Sequence, residues 1–349
     1  MSIDKSFGLL AIILSFLITL LFIQPFINFL NSLKFQKKVG GVGSMGKALI
    51  DKLQDFKSGT PIGGGILLII LVTILFSFFF ILSNNFDLKI ISAYQIKDEL
   101  LIILFTFIGF GTLGFVDDWV KIRGKQTPGT FGSWIGISRK SKLLSQLLLS
   151  STIGSLLYFR LGINLIYIPI IDVSIYLGPF YIVFSTLVII YFSNAFNFTD
   201  GLDGLACGLL TILLITYLIV AITVIDIPLL LFISLLLGSV MAFLLFNIYP
   251  ATIFLGDAGA LSFGAIIAVI GLLMGNIIAL FFIGGVFFIE AASSVIQIIW
   301  WKVFKKKFFP IAPIHHTFLA IGWQEPKIVM RAWIIGIILA IFGLWLATI

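Results

Sequence analysis

Amide and acid side chains recur at every third position in one short segment near the middle of the chain. The four residues are Asn194, Asn197, Asp200 and Asp203. On a continuous α-helix this spacing would turn each group about 60° from the last, so the four would not share a face. Gly201 and Gly204 favour a break instead, with one helix ending near Asn197 and the next beginning near Asp200. The break would bring amides and carboxylates together, and the segment is therefore interpreted as a binding site.

Asp200 and Asp203 are expected at the start of the second helix. Asp200 would cap it, because an aspartate oxygen accepts hydrogen bonds from the first free backbone N–H groups. Asp203 would lie in the first turn, where the positive end of the helix dipole favours an acid.

Three further acids stand near the ends of apolar segments. Asp117 and Asp118 are adjacent at the end of the third segment, where two carboxylates oppose the helix dipole and repel each other. Asp257 follows Phe254 in the connection before the eighth segment. Paired carboxylates suit a Mg²⁺ ion or a general base. The alternatives are a solvated acidic turn for the pair and a helix cap for Asp257.

Both histidines of the chain, His315 and His316, are adjacent in a basic connection. Neighbouring helical residues point about 100° apart, which suits hydrogen bonding to an anion better than chelation of one metal. Lys57 precedes a glycine-rich segment whose backbone could approach a phosphate. Thr60 as a helix cap, with Pro61 at the first helical position, would explain the same segment without a ligand.

Glu290 lies near the middle of the ninth apolar segment, where an ionisable residue is functional by default. Gln297 lies seven residues later on the same face and could support it, although a purely structural polar contact is the alternative. A coupling group in a transporter is a further interpretation of Glu290.

The elements that carry these residues are expected to span a membrane. The chain has 349 residues, 60% of them hydrophobic and 11% charged, with a mean hydropathy of +1.20. Apolar runs of the ~20 residues that cross a bilayer recur along it, and they are continuous rather than alternating. We therefore expect an all-α polytopic membrane protein in one integral-membrane domain, residues 1–349. A single cysteine, Cys207, excludes an intrachain disulfide framework.

Ten spans are expected. They cover about residues 7–30, 61–82, 99–116, 142–159, 177–194, 205–224, 228–246, 259–276, 279–301 and 331–348. A short β-hairpin is expected within 161–176. Gly109 to Gly114 matches a dinucleotide-binding pattern, and Gly41 to Lys47 resembles a phosphate-binding loop, but neither has the flanking strand that would make it a nucleotide motif.

The basic residues indicate how these spans are oriented. Three connections, 31–60, 117–142 and 302–331, hold 18 of the 22 Lys and Arg residues. They alternate correctly for one side of a ten-span protein, and the positive-inside rule places that side in the cytoplasm with both termini outside. The net charge of +7 is thus a topology signal and does not indicate nucleic-acid binding. The acid and histidine clusters fall on this side, which predicts an enzyme for a Mg²⁺-bound phosphate substrate at the cytoplasmic leaflet of the membrane.

Five short motifs in this order resemble those of the polyprenyl-phosphate N-acetylhexosamine-1-phosphate transferases. The motifs are Gly59-Thr-Pro with Gly64-Gly65, Gly114-Phe-Val-Asp-Asp118, Asn194-x-x-Asn-x-x-Asp-Gly-Leu-Asp-Gly204, Phe254-x-Gly-Asp257 and Pro313-Ile-His-His316. The last motif, followed by Gly322-Trp323 and Glu325-Pro326-Lys327, is similar to the phospho-N-acetylmuramoyl-pentapeptide branch. The match runs over roughly 57–333.

The resemblance implies transfer of phospho-N-acetylmuramoyl-pentapeptide from a UDP-linked donor to undecaprenyl phosphate, giving lipid I and UMP, with Mg²⁺ as cofactor. It also suggests a homodimer. Catalytic and metal-binding roles would fall to Asp117, Asp118 and Asp257, with His315 as a further catalytic residue. The nucleotide site would comprise Lys57, Asn197, Asp200, Gly201, Asp203, Phe254 and His316. Lys121 and Lys142 would hold the lipid phosphate.

Three departures from the family pattern concern substrate recognition rather than reaction class. Ile62-Gly63 stands where the family usually has Thr-Met, Thr317 replaces a third histidine, and Leu319 replaces a glutamate. Other interpretations are a transferase for another N-acetylhexosamine, a lipid transporter and a non-catalytic scaffold. A transporter usually places polar groups at the membrane midplane, whereas these collect at one surface.

Overall fold

The computed structural model describes residues 5–36, 57–85, 90–123, 137–224 and 226–349, so the segment Gly41 to Lys47 lies outside the described residues. Twelve α-helices and one two-stranded sheet form within these ranges. In chain order the elements are α1 (Lys5–Ser32), α2 (Gly64–Asn85), α3 (Ile96–Arg123), α4 (Arg139–Phe159), β1 (Leu165–Ile168), a 3₁₀ turn (Pro169–Ile171), β2 (Val173–Tyr176), α5 (Phe180–Thr199), α6 (Leu205–Val224), α7 (Ile227–Asn247), α8 (Gly256–Leu273), α9 (Ile277–Ile283), α10 (Gly285–Phe304), α11 (Ile314–Ala320) and α12 (Glu325–Thr348).

Nine of the helices in the described ranges are long and apolar enough to cross a membrane. The tenth expected span is present as α4, a helix of 21 residues whose first turn carries Arg139, Lys140 and Lys142. These charges, together with Gln146 and the serines along the helix, reduce its mean hydropathy, so α4 is not among the nine. The prediction of an all-α polytopic membrane protein is confirmed.

The ninth predicted span, 279–301, is wrong as a continuous helix. The chain forms the short helix α9 and then α10, with Gly284 between them at φ −92° and ψ 21°. A Cβ on Gly284 would lie 3.0 Å from the Phe192 ring, and one on Gly285 would lie 2.8 Å from Leu339. Two consecutive glycines weaken a helix at this point and allow the neighbouring helices to approach it closely.

Helix α8 lies at the centre of the bundle, where 89% of its residues are buried. It packs against α2, α3 and α5. Small residues permit very close backbone contacts here: a Cβ on Gly65 would lie 2.3 Å from Gly259 Cα, and one on Gly114 would lie 2.1 Å from the Asp257 carbonyl oxygen. Such contacts are typical of helix packing in membranes. The glycines from Gly109 to Gly114 therefore serve packing within α3 and form no nucleotide motif.

The predicted hairpin is confirmed. β1 and β2 pair antiparallel, with Leu165 opposite Tyr176 and Ile168 opposite Val173. The 3₁₀ turn between them contacts α12.

Helix α1 and the residues after it make contacts at both ends of the bundle. Near the start of the described chain, a Cβ on Gly8 would lie 3.1 Å from the hydroxyl of Ser234, in the first half of α7. At the other end, the chain continues from α1 to Phe35, whose carbonyl oxygen accepts a hydrogen bond of 3.0 Å from Ile62 N. Ile62 and the following glycines lie beside the polar cluster described next.

Candidate active site

A cavity of about 240 Å³ opens at one end of the bundle, where α3, α5 and α8 meet. Nine of the thirteen residues predicted from the sequence line it: Lys57, Asp118, Lys121, Asn197, Asp200, Gly201, Asp203, Phe254 and Asp257. The remaining four, Asp117, Lys142, His315 and His316, are not part of the lining, and each is described below.

Asp257 is the centre of an ion-pair network on one wall of the cavity. It lies in the first turn of α8, where the positive helix end favours an acid. Its Oδ2 lies 2.6 Å from Lys121 Nζ and 2.8 Å from Lys142 Nζ, while its Oδ1 accepts a hydrogen bond of 3.1 Å from Asn197 Nδ2. The side chain is thus fixed by three helices and does not cap its own.

Asp117 and Asp118 lie well inside α3, which continues to Arg123. The expectation that the pair ends a helix is therefore wrong, because the helix runs more than a turn past the predicted end of the span. Consecutive helical residues point about 100° apart, and the two acids accordingly have different surroundings.

Asp117 faces the lysines. Its Oδ2 lies 2.9 Å from Lys121 Nζ and 2.8 Å from Lys142 Nζ, and its Oδ1 accepts from the backbone N–H of Ile137 at 2.8 Å. Asp118 instead faces the cavity, where its Oδ2 accepts from the backbone N–H of Ala258 at 3.1 Å. Asp117 therefore forms ion pairs with both ammonium groups outside the cavity lining, and Asp118 adds a carboxylate to the cavity wall.

The carboxylates of the wall fit a Mg²⁺ ion that is shared with a substrate. No three His, Cys, Asp or Glu side chains within the described ranges are grouped so as to enclose a metal by themselves. Mg²⁺, however, is usually held by one or two carboxylates together with substrate phosphates and water. Asp118 and Asp257 are oxygen donors of this kind on one cavity wall, and Asp117, the third predicted ligand, faces the lysines.

A second ion cluster borders the same cavity and is almost completely buried. Lys57 Nζ lies 2.6 Å from Asp203 Oδ1 and 2.6 Å from Glu325 Oε1, and the lysine side chain is 3% exposed. Glu325 Oε1 also accepts from the backbone N–H of Asp203 at 2.6 Å. Asp203 Oδ2 in turn accepts from Ala251 N at 2.9 Å. This cluster joins segments that are 268 residues apart in the chain.

Glu325 is the residue of this cluster that the sequence reasoning missed as a site residue. In the sequence it belongs only to a family motif, and the predicted last span begins six residues later, at residue 331. Helix α12 begins at Glu325, so its first turn reaches the cavity end of the bundle. An acid followed by Pro326 is a common helix start, and that signal could have extended the predicted helix.

The break after Asn197 is confirmed, but the expected position of the second helix is wrong. Helix α5 continues to Thr199, and Asp200 follows it as the C-cap, donating its backbone N–H to Phe196 O at 3.0 Å. Helix α6 begins only at Leu205. Asp200 and Asp203 therefore belong to a turn between helices, and Gly204 takes the left-handed φ of +75° that ends it.

The segment before α2 forms a turn from Lys57 to Gly59 and then a short extended stretch at Pro61 and Ile62, and the helix begins only at Gly64. Phe254 N donates to Pro61 O at 2.8 Å, and Phe254 O accepts from Gly63 N at 3.1 Å and Gly64 N at 2.9 Å. The expected helix cap at Thr60, with Pro61 at the first helical position, is therefore wrong. These bonds hold the Phe254 ring at the cavity, with Lys57 Nζ 5.9 Å from its centre.

The two histidines lie behind the turn that follows α5. His315 is 1% exposed, and its Nδ1 lies 2.9 Å from Glu290 Oε2. Its ring centre is 4.1 Å from that of His316. A Cβ on Gly201 would lie 2.4 Å from His315 Nε2 and 3.3 Å from His316 Cε1, so both rings support the cavity wall from behind.

The partner of Glu290 is therefore His315 and not Gln297, which was one of two interpretations from the sequence. Gln297 Oε1 accepts from the backbone N–H groups of Phe308 and Phe309 at 3.1 and 2.8 Å. This contact is the structural alternative that the sequence reasoning left open. Thr317, which stands in place of a third histidine, donates its hydroxyl proton to Ile311 O within the same segment.

Comparison with known proteins identifies the family of this chain. Residues 100–275 match the family model for glycosyl transferase family 4. The chain is 35% identical to a phospho-N-acetylmuramoyl-pentapeptide-transferase of Geobacillus sp. (strain WCH70) over 338 residues, and 37% identical to one of Halalkalibacterium halodurans over 342 residues, with 97% of each chain covered in both cases. It is 39% identical to one of Borreliella afzelii over 306 residues, or 82% of each chain. With relatives this similar over nearly its whole length, the chain belongs to glycosyl transferase family 4 and, within it, to the phospho-N-acetylmuramoyl-pentapeptide-transferases.

Proposed function

We propose that this chain transfers phospho-N-acetylmuramoyl-pentapeptide from a UDP-linked donor to undecaprenyl phosphate in the inner membrane, with Mg²⁺, to give lipid I and UMP. The observation that carries the proposal is the position of Asp257, held between Lys121, Lys142 and Asn197 on the wall of a cavity at one end of the bundle. Two anionic substrates meet in this reaction. The site combines carboxylates for a divalent cation with ammonium groups for phosphate.

The cavity faces the cytoplasm in this proposal, and both termini lie outside. The support is the distribution of charge in the sequence, since the three connections assigned to one side hold 18 of the 22 Lys and Arg. Described residues at the edges of two of these connections, Lys57, Lys121 and Lys142, belong to the ion clusters at the cavity. A UDP-linked donor is water-soluble and enters from that side, while the lipid phosphate enters from the surrounding leaflet.

The nucleotide of the donor is assigned to the side of the cavity formed by Phe254 and the turn from Asp200 to Asp203. The aromatic face of Phe254 suits stacking against the uracil ring. Amide and acid groups of the turn offer hydrogen bonds to the base and ribose, and the buried ion cluster around Lys57 keeps that turn in place.

The lipid phosphate is assigned to Lys121 and Lys142. In the reaction one of its oxygens bonds to the sugar-bearing phosphorus of the donor, and the bond from that phosphorus to the bridging oxygen breaks, with the electron pair leaving on UMP. Because the attacking phosphate is already anionic, neutralising charge and aligning two anions are the main tasks of the site.

Asp118 and Asp257 would hold the Mg²⁺ ion, which supplies Lewis-acid stabilisation of charge on the diphosphate. Asp117 acts through the lysines, since it holds both ammonium groups by ion pairs of 2.9 and 2.8 Å. A transporter is not favoured, because the polar groups lie at one end of the bundle rather than at its middle. A transferase for another N-acetylhexosamine is not favoured by the three relatives named above, each of which is called a phospho-N-acetylmuramoyl-pentapeptide-transferase.

The test is transfer in detergent with Mg²⁺ and radiolabelled undecaprenyl phosphate. UDP-N-acetylmuramoyl-pentapeptide and UDP-N-acetylglucosamine are offered separately to the wild type, to Asp257→Asn and to Asp172→Asn as a matched control in the distant hairpin. Lipid product from the muramoyl donor alone is expected, lost in Asp257→Asn and retained in Asp172→Asn. Product from the glucosamine donor alone, or full activity of Asp257→Asn, would contradict the proposal.

A further inference from the structure

Glu290 is a buried acid in a membrane-spanning helix that the proposed chemistry does not use. It lies in α10 and is 4% exposed. Its Oε2 lies 2.9 Å from His315 Nδ1 and 3.4 Å from the backbone N–H of the same residue. A buried ionisable group in such a helix requires a specific partner, and here the partner is an imidazole with its backbone N–H.

Glu290 is one of three polar residues on the same face of α10 that hold the segment leading to the histidines. Ser293 Oγ accepts from Ile314 N at 3.1 Å, and Gln297 Oε1 accepts from the N–H groups of Phe308 and Phe309. Their spacings of three and four residues place them in one row along the helix. Ser293 and Gln297 bind backbone, whereas Glu290 also contacts the His315 ring.

The other edge of that ring reaches the nucleotide side of the cavity. A Cβ on Gly201 would lie only 2.4 Å from His315 Nε2, so the imidazole edge lies directly against the Gly201 backbone. Gly201 lines the cavity, and its backbone N–H donates to Thr199 O at 2.8 Å. A continuous line of contacts thus runs from Glu290 through the imidazole to the turn that receives the nucleotide.

We propose that Glu290 is a positioning residue for the nucleotide donor, acting through His315 on the turn from Asp200 to Asp203. The inference rests on the proposed function, because it assigns a role in donor binding. Both nitrogens of an imidazole can serve as donor or acceptor, and the group that binds one of them fixes the ring's orientation and tautomer. With Nδ1 held by the carboxylate, the Nε2 edge is kept against Gly201. Without the carboxylate the ring can rotate, and the turn loses its support.

The first test is a double-mutant cycle with Glu290→Gln and His315→Ala. Each single substitution is expected to raise the KM for the UDP-linked donor about tenfold, the value of one charge-assisted hydrogen bond, with the KM for undecaprenyl phosphate unchanged. Because the two residues act in series, the double variant should also lose about tenfold rather than a hundredfold. Additive losses, or an equal rise in both KM values, would overturn the proposal.

Gln297→Met is the matched control, since it removes an anchor of the same segment from the same helix without touching the imidazole. Its donor KM should stay within twofold of the wild-type value. A tenfold rise would mean that general loosening of the segment explains the Glu290 effect, and the proposal would fail. Glu290→Asp, which keeps the charge, should recover part of the lost affinity, and it also serves if Glu290→Gln does not fold.

Binding of UMP, measured by calorimetry in detergent without lipid acceptor, separates this inference from the proposed function. One outcome is that the wild type binds UMP but makes no lipid product, and that Glu290→Gln binds UMP tenfold more weakly. This outcome would support the positioning role and reject the transfer reaction. The other outcome is that the wild type is active and that Glu290→Gln has the same UMP affinity and the same donor KM as the wild type. This outcome would retain the reaction and reject the positioning role.

Discussion

Replacing Lys57 with Met should destabilise the protein far more than replacing Glu325 with Gln, although the two residues form the same ion pair. Lys57 is the only cation in contact with Asp203 and Glu325 in the described part of this cluster, and all three side chains are buried. Lys57→Met leaves two carboxylates buried without a counter-charge. Glu325→Gln leaves Lys57 and Asp203 as a neutral pair.

The expected magnitudes follow from this difference in remaining charge. Breaking a buried pair so that a charge is left uncompensated costs about 3–5 kcal/mol, and we expect Lys57→Met to fall in that range. Glu325→Gln loses one charge-assisted bond, and the new amide can still accept from the Asp203 N–H, so a cost of about 1–2 kcal/mol is expected. The double variant buries one unpaired carboxylate instead of two and should be more stable than Lys57→Met alone.

Unfolding in mixed detergent–denaturant micelles measures these free energies, with binding of UMP as a second readout. Lys327→Met is the matched control, because Lys327 is exposed, lies over the Trp323 ring at 5.7 Å and belongs to no buried ion cluster. It should stay within about 0.5 kcal/mol of the wild type. A Lys57→Met variant as stable as Glu325→Gln, or a double variant less stable than both singles, would refute the charge-balance reasoning.

Three further outcomes are expected. Lys121→Met and Lys142→Met should each raise the KM for undecaprenyl phosphate about tenfold, because the remaining lysine still pairs with Asp257. The double variant should lose measurable transfer. An active double variant would exclude the two lysines as the phosphate site. Gly201→Ala should weaken UMP binding at least tenfold, since the new methyl group would lie 2.4 Å from an imidazole nitrogen, whereas Gly109→Ala meets only the flexible end of a leucine at 3.3 Å and should bind normally. Removing divalent cations with EDTA should abolish transfer and leave UMP binding largely intact, and added Mg²⁺ should restore transfer. Transfer that persists in EDTA would exclude a metal role at this site.

The sequence by itself determined the membrane fold and most of the residues around the cavity. Apolar run length and the continuity of those runs are local properties, and they decide whether a segment crosses a bilayer as a helix. The break after Asn197 could likewise be predicted, because two glycines and closely spaced polar groups are local signals. The residues of that break then line the cavity with Asp118 and Asp257, since helices that cross the same membrane bring their polar ends to the same surface.

The tertiary structure alone decided which of these groups contact each other. Glu325 and Lys57 are 268 residues apart, and Glu290 and His315 are 25 apart, so neither pair leaves a periodic signal in the sequence. The separate roles of Asp117 and Asp118 depend on where α3 ends and on how α3 is rotated against α8. The close approach of Gly114 to Asp257 fixes that rotation. Hydrophobicity selects the helices, but the depth and rotation of each helix are set by packing against its neighbours, and these determine which carboxylate meets which cation.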